Sequence, residues 1–316
     1  MINDSGHQVE RKVISILKIL SDSPEPLGAR LIARRLKERG VELGERAVRY
    51  HLKLMDERGL TESTKRWDGR NITPLGREEL DNALVSDKIG FVLEKIEVLA
   101  FRTAFDTKNR TGLVPVNVSF FSKEHFSKAL QVMGPVFEAG LCVSDLVAMA
   151  NGGEMLGEVI VPKGKIGLAT VCSIIVNGSL LKAGIPMDSR FAGLLQIRNQ
   201  RPLRFVNFIH YAGTTLDPSE IFIRAKMTDV LGVVRKGEGK IIANFREIPT
   251  QCQPLAEKII DQLKRAGFGG VIMMGNTNEP VCGIPVGLNK VGVILQVGLN
   301  PVAAAAEAGV EAESYA

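Results

Sequence analysis

Apolar residues return at helical spacing through the first eighty or so positions and at mixed spacing afterwards. Val13, Ile16, Leu17 and Leu20 share one face of a helix predicted over residues 9–20, which Pro24 and Pro26 bring to an end. A second helix is predicted from about residue 27, with Leu31, Ile32 and Leu36 inward and Gly40 where a left-handed cap wants glycine. A third, over residues 45–58 with Gly59 behind it, sets Val48, Leu52 and Met55 on one side and Arg46, Arg49, Tyr50 and Lys53 on the other. Residues 60–66 and 70–72 read as short strands joined at Asp68-Gly69, a type I′ turn pair. Thr73-Pro74 then supplies an N-cap and a first-turn proline for a closing helix. Helices followed by a charged hairpin predict a winged helix-turn-helix over residues 1–85.

From residue 90 the chain is rich in Val, Ile, Gly and Ala, and its charge is confined to short loops. Strands are predicted over residues 114–121, 165–176, 203–209, 241–245, 270–274 and 290–298, and helices over 123–133, 144–150, 179–183, 218–226, 254–266 and 301–308. Residues 230–246 read as a hairpin or paired strand around a glycine-rich turn, so parts of the sheet are expected to be antiparallel. The fold class is α/β, in its mixed α+β form, with a larger domain over residues 90–316. Lys165-Ile-Gly-Leu with Lys182-Ala-Gly-Ile185 matches Lys290-Val-Gly-Val with Glu307-Ala-Gly-Val310 at a constant offset of 125. Thr111-Gly-Leu-Val114 with Glu138-Ala-Gly-Leu141 is a looser third copy. A duplicated half and a chance likeness between glycine-rich strand-helix units both fit this pattern.

The chain has 316 residues, 45% hydrophobic, enough for two or three domains with real cores. Its net charge of +5 is modest, yet residues 30–70 alone hold 12 basic and 7 acidic side chains. A nucleic-acid partner would meet that window, a solvated charged surface being the plainer reading. Lys65, Arg66 and Arg70 gather on the hairpin and suit phosphate contact. Trp67 beside them is expected to pack over the third helix rather than stack on bases. The start of the chain lacks the pattern of a signal peptide, and no run of about 18 apolar residues occurs. A soluble, cytoplasmic protein without a membrane partner is expected. Four scattered cysteines make neither a disulfide scaffold nor a zinc knuckle. No phosphate loop, H-E-x-x-H, nucleophile elbow or dinucleotide fingerprint is present, so neither an enzyme nor a metal or cofactor site is expected.

Two segments carry a resemblance. Residues 161–186 (V-P-K-G-K-I-G-L-A-T-V-C-S-I-I-V-N-G-S-L-L-K-A-G-I-P) and 291–304 (V-G-V-I-L-Q-V-G-L-N-P-V-A-A), behind an amino-terminal winged helix, resemble the archaeal nitrogen regulatory repressor family, NrpR, over nearly the whole chain. The resemblance implies a dimeric DNA-binding repressor of nitrogen-assimilation genes that leaves its operator when 2-oxoglutarate accumulates. Some family members carry two effector domains and this chain has room for one, so a homodimer and a pairing with a paralogous subunit stay open. A metabolite-binding module or small-molecule enzyme, with the winged helix serving assembly, is the alternative.

A dianion such as 2-oxoglutarate needs backbone amides, helix starts and one or two guanidinium groups. Asn177, Gly178 and Ser179 join a strand to a helix, with Thr170, Cys172 and Ser173 leading in and Arg190 and Arg198 following. Asn300-Pro301 offers a second helix start for the same cleft. Thr214 and Thr215 precede Asp217 and Glu220, which form a capping box. Each of these effector candidates has a turn or capping role as its structural alternative.

Overall fold

Three amphipathic helices build the first of the two units, Met1–Lys88 and Ile89–Ala316, into which the chain divides. The computed structural model describes residues 4–23, 25–63, 69–83 and 90–315. Helices Asp4–Ser21, Ala29–Glu38 and Glu45–Glu57 close over Ile16, Leu17, Ile32, Leu36, Val48 and Met55, all fully buried. Strands Thr61–Ser63 and Gly69–Ile72 form the hairpin, and Leu27–Gly28 adds a third antiparallel strand. The helix predicted from residue 27 therefore begins at Ala29, because Leu27 and Gly28 pair with Arg70 and Gly69. Gly69 is a strand residue without positive φ, so it is not the second residue of a type I′ turn. It is glycine because a Cβ there would press on Pro26. Asp68, its predicted turn partner, lies outside the described residues. The closing helix Pro74–Asn82 starts as predicted: Thr73 Oγ1 accepts from the Gly76 N–H at 3.0 Å, with Pro74 in the first turn.

In the second unit every strand ladder is antiparallel. One half runs strand Val116–Ser122, helix Phe126–Glu138, strands Val147–Asn151 and Lys165–Val171, helix Ile174–Lys182 and strand Asp188–Arg198. The other repeats that order as Gly239–Pro249, Gln253–Arg265, Val271–Thr277, Lys290–Gln296, Asn300–Glu307 and Glu313–Tyr315. This is the strand-helix-strand-strand-helix-strand plan of a ferredoxin-like unit, made twice. The fourth strands are exchanged. Glu313–Tyr315 pairs with Val116–Ser122 and completes the first half's sheet, while Asp188–Arg198 pairs with Gly239–Pro249 and extends the second's. Strand Arg201–His210 then adds an outer edge to that second sheet.

The two halves keep the same register. Lys165 faces Ser122 as Lys290 faces Pro249, and Asp188 faces Glu247 as Glu313 faces Phe120. Third and fourth strands are thus related by an offset of 125, and first strands by 127. The repeat seen in the sequence is a structural duplication. Its helices end alike, with Gly140, Gly184, Gly267 and Gly309 at left-handed φ of 66°, 78°, 97° and 78°. The next N–H returns to a carbonyl of the last turn in each, at 2.9–3.1 Å. Glu138-Ala-Gly-Leu141 accordingly matches Arg265-Ala-Gly-Phe268, whereas Thr111–Leu113 belongs to a small hairpin with Ala104–Asp106 outside the repeat.

Several local expectations are corrected. The helix predicted over residues 144–150 is strand Val147–Asn151, a short apolar run that periodicity alone does not assign. The strand predicted within residues 230–246 begins as helix Val230–Lys236: Asp229 caps the Gly232 N–H, and Gly237 at φ 71° ends it. The strand predicted to residue 176 stops at Val171, and helix Phe91–Arg102 and strand Asp188–Arg198 went unpredicted.

The halves touch where a third strand ends, with the Val171 carbonyl packed onto Gly298 so closely that a Cβ would overlap it. Gly298→Ala should destabilise the chain by about 3 kcal/mol, whereas Gly134→Ala, in a helix and facing open space, should gain about 0.5–1 kcal/mol. Thermal unfolding of both variants checks this, and a Gly298→Ala protein as stable as the parent would remove the contact from consideration.

Candidate functional site

Two surfaces carry polar chemistry that packing does not explain, one in each unit. In the first, helix Glu45–Glu57 buries Val48, Leu52 and Met55 and exposes Arg46, Arg49, Tyr50 and Lys53, the facing its sequence predicts. Tyr50 is 62% exposed and stands edge-on to the His51 ring at 5.7 Å. Arg49 meets Glu45 at 2.6 Å and Lys53 meets Glu57 at 4.0 Å, both across one exposed turn. Such pairs contribute about 0.3–0.5 kcal/mol and yield readily to a phosphate. Arg70 differs: its Nε donates to Asp56 at 2.7 Å, and Asp56 also accepts from Thr61 Oγ1 at 2.6 Å. This partly buried tie locks the hairpin onto the third helix. Lys65, Arg66 and Trp67 lie outside the described residues. Sequence reading passed over Arg30 and Arg34, which with Gly28 and Leu31 line a concavity of about 420 Å³ at the start of helix Ala29–Glu38. Their spacing of one helical turn was the available signal.

In the second unit the centre is Arg246, 1% exposed on strand Gly239–Pro249. Its Nη1 donates to Ser189 Oγ, its Nε has no partner, and among the described residues no carboxylate reaches ion-pair range of it. Burial lowers its pKa, while Tyr211 and Cys172 beside it act the other way. Asn244, two residues back on the same face, accepts from Tyr211 Oη at 2.7 Å and donates Nδ2 to Ser173 Oγ at 2.9 Å. Asn177 Nδ2 donates to Ser189 Oγ at 3.3 Å, leaving its Oδ1 without a partner. Burial pushes the Tyr211 phenol and the Cys172 thiol above their usual ranges, so both are neutral donors here. One positive charge and a ring of neutral donors make a centre that can hold an anion.

Of the predicted effector residues, Cys172, Ser173 and Asn177 come to this centre and the others do not. Thr170 sits across the ladder from Asn117, its buried hydroxyl unpaired, and Ser179 is likewise unpaired. Gly178 packs on the helix Phe91–Arg102 side, where a Cβ would strike Thr103 and the Ala100 carbonyl. Arg190 is exposed and pairs with Asp188 at 3.4 Å and with Glu247 at 3.8 Å. Arg198 faces Glu238 at 4.0 Å, nine residues along the strand from Ser189; extended chain makes that roughly 30 Å. Thr214 turns its hydroxyl onto the Leu216 backbone, with Thr215 beside it, and Asp217 caps Ser219 and Glu220. Asn300 commits both ends of its amide to the Ile242 backbone, so its helix does not start at the same cleft. Arg246, Asn244, Ser189 and Tyr211 were missed. The signal was an Asn and an Arg at alternate positions within the apolar run Ile241-Ile-Ala-Asn-Phe-Arg-Glu-Ile248.

Residues 89–316 match the family model described as NrpR regulatory domains NRD1 and 2. The chain belongs to the NrpR family. Residues 14–80 match the Ribonuclease R winged-helix domain, consistent with the fold of the first unit. A protein of Methanosarcina mazei called Global nitrogen regulator NrpRI is 42% identical over 307 residues, spanning 97% of this chain and 94% of that one. The Global nitrogen regulator NrpR of Methanocaldococcus jannaschii is 37% identical, and the match covers 93% of this chain and only 51% of that longer protein. The crystal structure of a nitrogen repressor-like protein from Methanococcus jannaschii shares the fold, with TM-score 0.59 and 24% identity over 71% of this chain and 92% of that one. This NrpR-family chain is a nitrogen-regulatory protein. Among the described residues no helix is long and apolar enough to cross a membrane.

On the inner side of helix Glu45–Glu57, His51 is buried with Nδ1 unpartnered, and burial followed by the charge of Lys12 lowers its pKa. As pH falls below about 6.5 the unfolded chain takes up this proton first, so stability is present above that value and is lost toward the lower folded pKa. Calorimetry of the full chain between pH 7 and 5 should show the first unit losing stability, and His51→Gln should flatten that slope. An unchanged slope in the variant would place the titration elsewhere.

Proposed function

We propose that the chain is a DNA-binding transcriptional repressor of nitrogen-assimilation genes, acting in the cytoplasm as a homodimer, whose operator affinity falls when 2-oxoglutarate enters the Arg246 centre. The observation that carries the reading is the buried guanidinium, which has no carboxylate of its own among the described residues. An unpaired charge away from water is costly, and a dicarboxylate is the partner whose oxygens match a guanidinium in bidentate geometry. Ser173, Ser189, Asn177 and Asn244 would orient the remaining ligand oxygens.

DNA reading rests on Arg46, Arg49, Tyr50 and Lys53, exposed along one helix face. In the proposed mechanism the third helix lies in the major groove and exchanges its weak intrahelical pairs for base edges and phosphates. Effector binding favours one arrangement of the sensor unit, and a coupling of about 1–3 kcal/mol alters operator affinity by about 5- to 150-fold.

Gel-shift titrations of the full chain at fixed salt test both parts. Adding 2-oxoglutarate should weaken operator binding by about 5- to 150-fold. Arg49→Ala should weaken it by about 10-fold without lowering the unfolding temperature. Arg246→Gln should bind the operator and ignore the effector. An operator affinity that stays the same with and without 2-oxoglutarate would sink the sensing half of the proposal, and full-strength binding by Arg49→Ala would sink the assigned face.

A further inference from the structure

Duplication gives the sensor unit two strand-exchange junctions, and their chemistry has diverged. At one, Asn244 and Arg246 from the second half's first strand meet Ser173, Asn177 and Ser189 from the first half. Shifting by 127 on the first strand and 125 elsewhere places Asn117, Ser119, Gly298, Val302 and Ser314 at the matching positions of the other junction. The geometry corresponds as well as the numbering. Asn244 Nδ2 donates to Ser173 Oγ at 2.9 Å, and a Cβ built on Gly298 would lie 2.8 Å from Asn117 Nδ2.

Among the described residues the guanidinium has no counterpart. Ser119 occupies its place, buried Val302 stands for Asn177, and Gly298 replaces the Ser173 hydroxyl with backbone packed against the Val171 carbonyl. Among the described residues this second junction offers only neutral groups: the amide of Asn117, its Nδ2 unpartnered, and the hydroxyls of Ser119 and Thr170. A neutral amide does not compensate the desolvation of a dicarboxylate, which needs a buried countercharge.

We infer that the sensor unit takes one dicarboxylate per chain, at the Arg246 junction, and that the twin junction at Asn117 is closed to anions. The inference rests on the reading that Arg246 receives the effector. Because the donors come from both halves, the bound ligand joins them at one junction only, and binding turns a nearly symmetric pair of halves into an unequal one.

Isothermal titration calorimetry of the full chain with 2-oxoglutarate should give one site per chain. Arg246→Gln should lose affinity by about 100-fold or more with no second site uncovered, and Ser119→Ala should keep both affinity and stoichiometry. Two sites per wild-type chain, or undiminished binding in Arg246→Gln, would overturn the inference and leave effector binding itself standing. No binding by the wild-type chain would overturn the effector reading and this inference with it. The wild-type stoichiometry decides the matter even where Arg246→Gln does not fold.

Discussion

A guanidinium held out of water is the constraint around which the second unit is arranged. Strand Gly239–Pro249 runs between Asp188–Arg198 and Lys290–Gln296, and Arg246 on it is 1% exposed. Its neighbour Phe245 points to the opposite face and stacks on Phe191 with ring centroids 5.2 Å apart, which fixes the strand in place. Desolvating an unpaired charge costs several kcal/mol, and Ser189 with the nearby dipoles offsets only part of that. A fold that tolerates such a term has most of its remaining packing in good order. The continuous core from Phe121 through Phe245 to Ala305 supplies it.

Burial sorts the arginines into three kinds. Arg49 lies on the surface beside Glu45, with a pair too weak to hold it when another anion arrives. Arg70, about 21% exposed, is tied to Asp56 and works as a structural clasp between hairpin and helix. Arg246 is enclosed, with Ser189 as hydrogen-bond partner and no carboxylate within ion-pair range among the described residues. The residue type is the same throughout, and the surroundings decide whether it lies on the surface in a weak pair, fastens the hairpin to a helix or carries its charge out of water.

That dependence on surroundings also marks how far the sequence could be read. The winged helix was legible almost throughout, because Val48, Leu52 and Met55 against Arg46, Arg49 and Lys53 is a local pattern that a helix expresses directly. The duplication was legible for the same reason, as an offset between identical turns and caps. Short elements were not: Val147–Asn151 and Val230–Lys236 lack the length over which one period outweighs another. The Arg246 centre was half legible. Ser173 and Asn177 stand in a visible strand-to-helix junction, whereas Arg246 lies some seventy residues away and joins them only through strand pairing between the halves. Gly178 was misread because a glycine at a helix start suggests backbone donors, and here it admits a neighbouring helix.

Strand exchange has a consequence for how the molecule is made. Val116–Ser122 waits for its outer neighbour until residues 313–315 have left the ribosome, so a sheet rich in Val and Phe presents an unpaired edge until then. Closing that edge brings together segments nearly two hundred residues apart, a slow step in any chain. The nascent second unit is therefore most vulnerable to pairing with a second nascent copy just before residues 313–315 appear, when one molecule's missing edge is another's spare one.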